Sequence, residues 1–188
     1  MNQTATQQLT EHDIFLFKEG THARLADKLG AHPARREGGD GVQFAVWAPN
    51  ASAVSVIGDF NDWNGATHRM RPRDDGSGIW EGFVPGIGNG DCYKYRIVAR
   101  DGGYTVDKAD PYARYGEVPP RTGSRVWDLD YTWNDADWMA RRRKANALDA
   151  PMAIYEVHLG SWRRVPEDGN RALSYRELAP QLVAHVLD

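Results

Sequence analysis

The sequence predicts a mainly β protein, an antiparallel β-sandwich over residues 38–128 followed by the beginning of a βα architecture. Three observations carry this. Short runs between residues 42 and 97 alternate apolar and polar side chains with period two, and Gly, Asp, Asn and Pro separate them. The alternation stops after residue 128. Near the end, an apolar run over residues 152–159 precedes a segment whose apolar residues recur with helical spacing.

In chain order, residues 1–12 are polar and read as a disordered lead. Residues 13–30 mix Ile14, Leu16 and Phe17 with Leu25 and Leu29 and stop at Gly30, as short helical turns do. Residues 34–41 read as a polar, Gly-rich link. From Val42 the strands follow. Val42, Phe44 and Val46 alternate with Gln43, Ala45 and Trp47, and Val54 and Val56 with Ser55 and Ile57. Ile79, Glu81 and Phe83 alternate with Trp80, Gly82 and Val84, and Tyr93, Tyr95 and Ile97 with Cys92, Lys94 and Arg96. Several short strands at this spacing point to an Ig-like antiparallel β-sandwich. Gly86 to Gly90 reads as a hairpin turn, because no helix follows to make it a phosphate cradle. Residues 129–150 read as a linker with a short helix, acidic at its start and basic at Arg141 to Lys144. Residues 152–159 read as a buried parallel strand. Ser174 and Glu177 have the spacing of a capping box ahead of a helix that Pro180 interrupts. Such a βα unit cannot bury its own apolar faces.

A chain of 188 residues with 41% hydrophobic content can bury one good core. A net charge of -3 argues against a nucleic-acid or anionic-membrane partner. The single cysteine, Cys92, reads as a small buried hydrophobe in a reducing compartment. With no basic and apolar leader and no run of membrane-spanning length, the cytoplasm is the expected location. No histidine pair has ligand-like spacing with Cys or carboxylates, so neither a metal site nor a cofactor is expected.

The stretch Gly58-Asp59-Phe60-Asn61-Asp62-Trp63-Asn64-Gly65 lies between two strand-like runs and places two aromatic residues in a polar loop. Phe60 reads as the ring that anchors the loop to the core, and Trp63 as the ring offered to a ligand. Packing on the sandwich edge is the plainer alternative for Trp63. Trp47 and Trp80 read as core or interface.

Phe44-Ala45-Val46-Trp47-Ala48-Pro49-Asn50-Ala51, Val54 to Asn61, Tyr93-Lys94-Tyr95 and Lys108-Ala109-Asp110-Pro111-Tyr112 resemble the N-terminal module of glycogen branching enzymes, of the α-amylase superfamily. Ile154-Tyr155-Glu156-Val157-His158-Leu159-Gly160-Ser161-Trp162-Arg163 resembles the opening strand of that family's catalytic (β/α)₈ barrel. The resemblance implies an incomplete start of that barrel over residues 151–188, and a lead over residues 1–37. It implies an enzyme that cuts α-1,4-glucan and transfers the segment to a 6-hydroxyl with retention, using paired carboxylates. Those carboxylates lie on later barrel strands, so no catalytic residue is assigned here, and this polypeptide alone is expected to be inactive. It also implies that the module binds α-glucan and packs on the barrel. Matched residue by residue, Trp63 stacks on glucose, Lys94 bonds hydroxyls and Tyr104 completes the platform. Tyr104 departs from the Trp usual there, and Lys94 is equally a solvated strand residue. Asn61 is a further candidate for the hydroxyls. A non-catalytic glucan-binding module and an Ig-like interaction domain without sugar affinity remain as alternatives.

Overall fold

The computed structural model describes residues 9–36 and 39–188. The chain forms two compact units, Met1–Tyr131 and Thr132–Asp188. The lead expected over residues 1–12 lies outside the described residues as far as residue 8. Beyond it Leu9 is buried, and Thr10 caps helix α1, Glu11–Glu19. The Thr10 hydroxyl accepts from the Asp13 N–H and the Asp13 carboxylate accepts from the Thr10 N–H, a reciprocal cap. Gly20 ends α1 in the left-handed conformation. His22 and Lys28 reach the same carboxylate at 2.9 and 3.1 Å. Burial alone would raise the Asp13 pKa, but these bonds outweigh it and hold the carboxyl well below its ordinary value.

Strand β1, Gly30–Arg36, pairs antiparallel with β2, Gly39–Trp47. The link expected over residues 34–41 is therefore a hairpin, of which residues 37–38 lie outside the described residues. The strand was hidden because Gly-Ala-His-Pro-Ala-Arg-Arg has no β-branched residue. Pro33 is accommodated because β1 is the sheet edge. Further strands follow as β3, Ala51–Gly58; β4, Arg71–Pro72; β5, Ile79–Pro85; β6, Cys92–Ala99; β7, Thr105–Lys108; β8, Tyr115–Gly116; and β9, Ser124–Arg125.

One sheet has the order β1-β2-β5-β4 and the other β3-β6-β9-β8, with β7 also on β6. The connection through Gly86 to Gly90 thus carries the chain from one sheet to the other and is not a hairpin, since β5 and β6 pair with different partners. All pairings in both sheets are antiparallel. The alternation seen in the sequence sets which face is buried. Val42, Phe44 and Val46 of β2 meet Val54 and Val56 of β3 and Tyr93 and Tyr95 of β6 in one core. The Phe44 ring meets Tyr93 edge-on at 5.1 Å. A second cluster of Leu9, Ile14, Leu29, Ala45 and Ile79 covers the opposite face of β2 and β5, so α1 acts as an outer layer.

Asp110 is buried in the segment between β7 and β8. Its Oδ2 accepts from the Tyr93 and Tyr95 hydroxyls at 2.7 and 3.0 Å, and Oδ1 from the Tyr112 N–H at 2.8 Å. Its own N–H donates to the Ser124 hydroxyl. Burial pushes the carboxyl pKa up from its ordinary value, against the hydrogen bonds that lower it.

In the second unit, α2 runs Ala136–Ala145 and α3 Leu159–Trp162. A two-residue ladder joins β10, Arg164–Val165, to β11, Arg171–Ala172, and α4 runs Tyr175–Leu187. The capping box of Ser174 and Glu177 forms, and α4 continues through Pro180. The strand expected over residues 152–159 does not form. A parallel strand needs a neighbour for its backbone groups, and none pairs with these residues. No ladder marks a barrel strand over these residues, and Met152, Ile154 and Leu187 stay about four-fifths exposed. Among the described residues, no helix is long and apolar enough to cross a membrane.

Two predictions test the sandwich. Asp110→Ala leaves two buried tyrosine hydroxyls unpaired, and should lower the unfolding free energy by about 2–5 kcal/mol in urea titration. Asp110→Asn should lose less, because its amide oxygen still accepts. His32 is buried, donates through Nε2 to the Leu29 carbonyl and leaves Nδ1 unpaired. Burial lowers its pKa from 6.5. Below that pH the unfolded chain takes up a proton that the folded chain refuses, so stability should fall as pH drops from 7 to 5. His32→Gln should flatten this part of the melting temperature profile; an unchanged slope would assign the effect elsewhere.

Candidate functional site

The loop after β3 is built by close approach. A Cβ at Gly58 would collide with the Cys92 carbonyl and the Phe60 ring, so only glycine lets the chain turn against β6. Residues 59–61 form one 3₁₀ turn, after which Asp62 and Trp63 are left-handed at φ 51° and 57°. Asp tolerates this conformation, whereas a bulky Trp does so only when its surroundings impose it. Three bonds impose it here. The Trp63 N–H donates to the Gly58 carbonyl at 3.0 Å, its indole N–H donates to Asp59 at 3.0 Å, and the Asn64 N–H donates to the Asn61 carbonyl at 2.9 Å. The indole is half-buried, with its one polar edge already satisfied.

Phe60 packs against the core cluster and meets His68 edge-on at 5.5 Å, as an anchor should. Asn61 is committed to the loop. Its Oδ1 accepts from the Gly58 N–H at 2.9 Å, and its amide donates to the Val56 carbonyl at 3.0 Å and lies 2.8 Å from His68 Nδ1. It positions the loop, with its donors spent there and its Oδ1 accepting one bond from the loop itself. Asp59, which orients Trp63, was not singled out by sequence reasoning; an acidic residue four positions before the Trp was the available signal.

The ladder sets Ile57 opposite Lys94, one step from the start of the loop. Trp63 and Lys94 therefore belong to the same end of the β3–β6 pair. The Lys94 ammonium donates to the Thr122 hydroxyl at 2.7 Å and stays partly open. Tyr104 is 67% exposed but lies in the β6–β7 turn, where its carbonyl accepts from the Ala99 N–H. That is five residues along β6 from Lys94, about 17 Å at the rise of a strand. Between them Arg96 pairs with Asp107 through two bonds of 2.8 and 2.9 Å, and Gly65 packs on the Arg96 stem. Tyr104 does not stand beside the other two.

Trp80 is a core residue whose indole donates to the Ala48 carbonyl. Trp47 is half exposed, edge-on to Phe17 of α1. Trp80 is thus core, while Trp47 rests on α1 and donates its indole N–H to the Ser77 carbonyl.

Residues 28–113 match the family described as Carbohydrate-binding module 48 (Isoamylase N-terminal domain). The chain is 58% identical over 189 aligned residues to the 1,4-alpha-glucan branching enzyme GlgB of Aromatoleum aromaticum, covering all of this chain and 29% of that protein. It is 53% identical over 178 residues to the enzyme of that name from Aquifex aeolicus, covering 95% of this chain and 28% of that one. It thus spans less than a third of the length of these curated relatives. A pullulanase from Bacillus acidopullulyticus aligns with 60% of this chain and 13% of its own, at 29% identity and a TM-score of 0.44. With a carbohydrate-binding module 48 match over residues 28–113 and such identity along its whole length, the chain is homologous to the N-terminal part of 1,4-alpha-glucan branching enzymes.

Proposed function

We propose that residues 38–128 bind α-glucan, and that they do so as the N-terminal module of a glycogen branching enzyme. In that enzyme the chemistry, cleavage of an α-1,4 bond and transfer to a 6-hydroxyl, requires a pair of carboxylates flanking the glycosidic bond. No residue described here takes that role. Residues 1–37 would be the lead, 129–150 the linker, and 151–188 the first βα unit of the catalytic barrel. The missing strand over residues 152–159 fits this reading, because a barrel strand acquires its ladder only between neighbours. The module would pack on that barrel. The lone thiol of Cys92, buried in β6, fits a cytoplasmic protein.

The observation that carries the glucan reading is the conformation of Trp63. Backbone strain in a large aromatic residue is kept where the ring's position matters more than the cost of holding it. The ring is aligned by Asp59, and the Lys94 ammonium is held at the neighbouring strand end. A flat apolar surface beside a fixed donor suits a pyranose ring, whose C–H face stacks while its hydroxyls bond. Lys94 supplies the donor, and Asn61 acts through the loop. Tyr104 is too far from Lys94 for one sugar ring to touch both, so it takes part only with an extended chain.

Native-gel mobility with glycogen in the gel tests this. The chain should be retarded, and Trp63→Ala should migrate about as fast as it does without glycogen, with an unfolding midpoint close to that of the parent. Asn61→Asp should lose retardation together with stability, by about 1–3 kcal/mol, since it removes donors that close the loop. Equal mobility of the parent chain with and without glycogen would end the sugar-binding reading. Retardation that survives Trp63→Ala would move the site elsewhere.

A further inference from the structure

The strand ends next to Trp63 carry a second aromatic surface. Tyr115 and Trp127 stack with centroids 4.7 Å apart and planes 21° from parallel, and both remain more than a third exposed. Buried aromatic pairs belong to cores; a stacked pair left open to solvent offers an outer ring face to something else. The pair borders an open cleft of about 490 Å³ whose other walls are Glu117, Val118, Pro119, Pro120, Arg121 and Arg125. Glu117 Oε2 accepts from the Gly123 N–H at 2.9 Å, while Oε1 lies 3.7 Å from both Arg121 and Arg125. These contacts put a carboxylate and two guanidinium groups at the edge of the aromatic face, the mixture of acceptors and donors that sugar hydroxyls need.

The register decides what this surface belongs to. Tyr93 of β6 pairs with Gly58 on one side and Ser124 on the other, and Ser124 pairs with Gly116. One residue earlier, Cys92 pairs with Arg125 and Arg125 with Tyr115. Residues directly opposite in an antiparallel ladder point to the same face, and so do residues two apart along a strand. Cys92, Lys94, Arg125 and Tyr115 therefore share the outward face, and Trp127, two beyond Arg125, stacks on Tyr115 there. Tyr115 is two strands from β6, about 10 Å at the spacing of a sheet. The Lys94 ammonium itself bonds Thr122, in the loop that joins β8 to β9. Lys94 thus stands between the Trp63 loop and the Tyr115–Trp127 pair, at one end of one sheet.

We propose that Tyr115 and Trp127 form a second α-glucan station, so that one chain runs from Trp63 across Lys94 to the stacked pair. This rests on the reading of the module as a glucan binder. It gives the pair, in place of Tyr104, the role of completing the platform. A short sugar reaches one station, whereas a longer chain gains from both through the effective concentration of the second contact.

Calorimetric titration of the whole chain with maltose and with maltoheptaose tests this. The parent should prefer maltoheptaose. Trp127→Ala should weaken maltoheptaose binding by at least about fivefold, the loss typical of a ring that matters to binding, and leave maltose binding at Trp63 unchanged. The Trp127 indole N–H resonance of the unsubstituted protein should also shift with maltoheptaose, a readout that needs no variant to fold. If Trp63→Ala abolishes binding while Trp127→Ala and Tyr115→Ala leave maltoheptaose affinity within about twofold and the Trp127 resonance does not move, the second station is refuted and the glucan reading stands. If the parent chain binds neither sugar, both fall.

Discussion

The sandwich depends on one buried carboxylate. Asp110 collects the hydroxyls of Tyr93 and Tyr95, two residues of β6 that point into the same core, and its backbone ties the same point to Ser124 of β9. Two large rings can then fill the space under Phe44 without leaving a hydroxyl unpaired. A charged acceptor strengthens each bond, to roughly 1.5–3 kcal/mol, and that offsets part of the cost of burying the carboxylate, the rest of which its raised pKa reports. The bonds also hold Tyr93 between Gly58 and Ser124, so the loop carrying Trp63, the strand carrying Tyr115 and the segment after β9 carrying Trp127 are referred to one fixed residue. A core interaction therefore sets the spacing of surface rings that it never touches.

Rigidity continues outward from there. The loop of residues 58–65 contains little that is free to move, because Asn61 closes it on both sides and Asp59 clamps the indole. Weak sugar contacts benefit from a surface ordered before binding, since ordering a ring at the moment of contact costs entropy that stacking must first recover. The same ordering draws the Asn61 amide into the loop. A polar residue at the base of a strained turn is more useful as a brace than as a ligand contact.

Much of this was legible in the sequence where one period dominates. The strands that became β2, β3, β5 and β6 show their period, and one alternating set from each lies in the shared core, although β2 and β5 are covered on their other face as well. Ser174 and Glu177 announce their helix by spacing alone, while Thr10 did so less plainly because Asp13, not Glu or Gln, stands at the third helical position. β1 was silent, since its residues have little preference for a strand and are held there by pairing to β2. The short strands β8 and β9 contain two residues each, too few for any period to show. Without them the neighbourhood of Lys94 cannot be drawn. Tyr104 is the aromatic of the next hairpin along the chain, whereas Tyr115 lies two strands from Lys94 across the sheet.

The second unit shows the opposite limit, where a strong local pattern does not produce its element. Residues 152–159 are apolar enough for a strand buried on both faces, yet an unpaired strand exposes every N–H and C=O it has. What forms instead is set by contacts within reach. The Trp162 indole donates to the Tyr155 hydroxyl at 3.1 Å, and both rings pack on His185 of α4. Arg171 grips Glu177 through two bonds and Asp168 through a third. These are exposed pairs, worth little individually, and they leave Ile154, Val186 and Leu187 uncovered. The two units thus differ in what their sequences can satisfy alone. The sandwich closes all of its long ladders and buries its apolar faces. Residues 152–159 form no ladder, and their apolar side chains require surfaces that these residues do not provide for themselves.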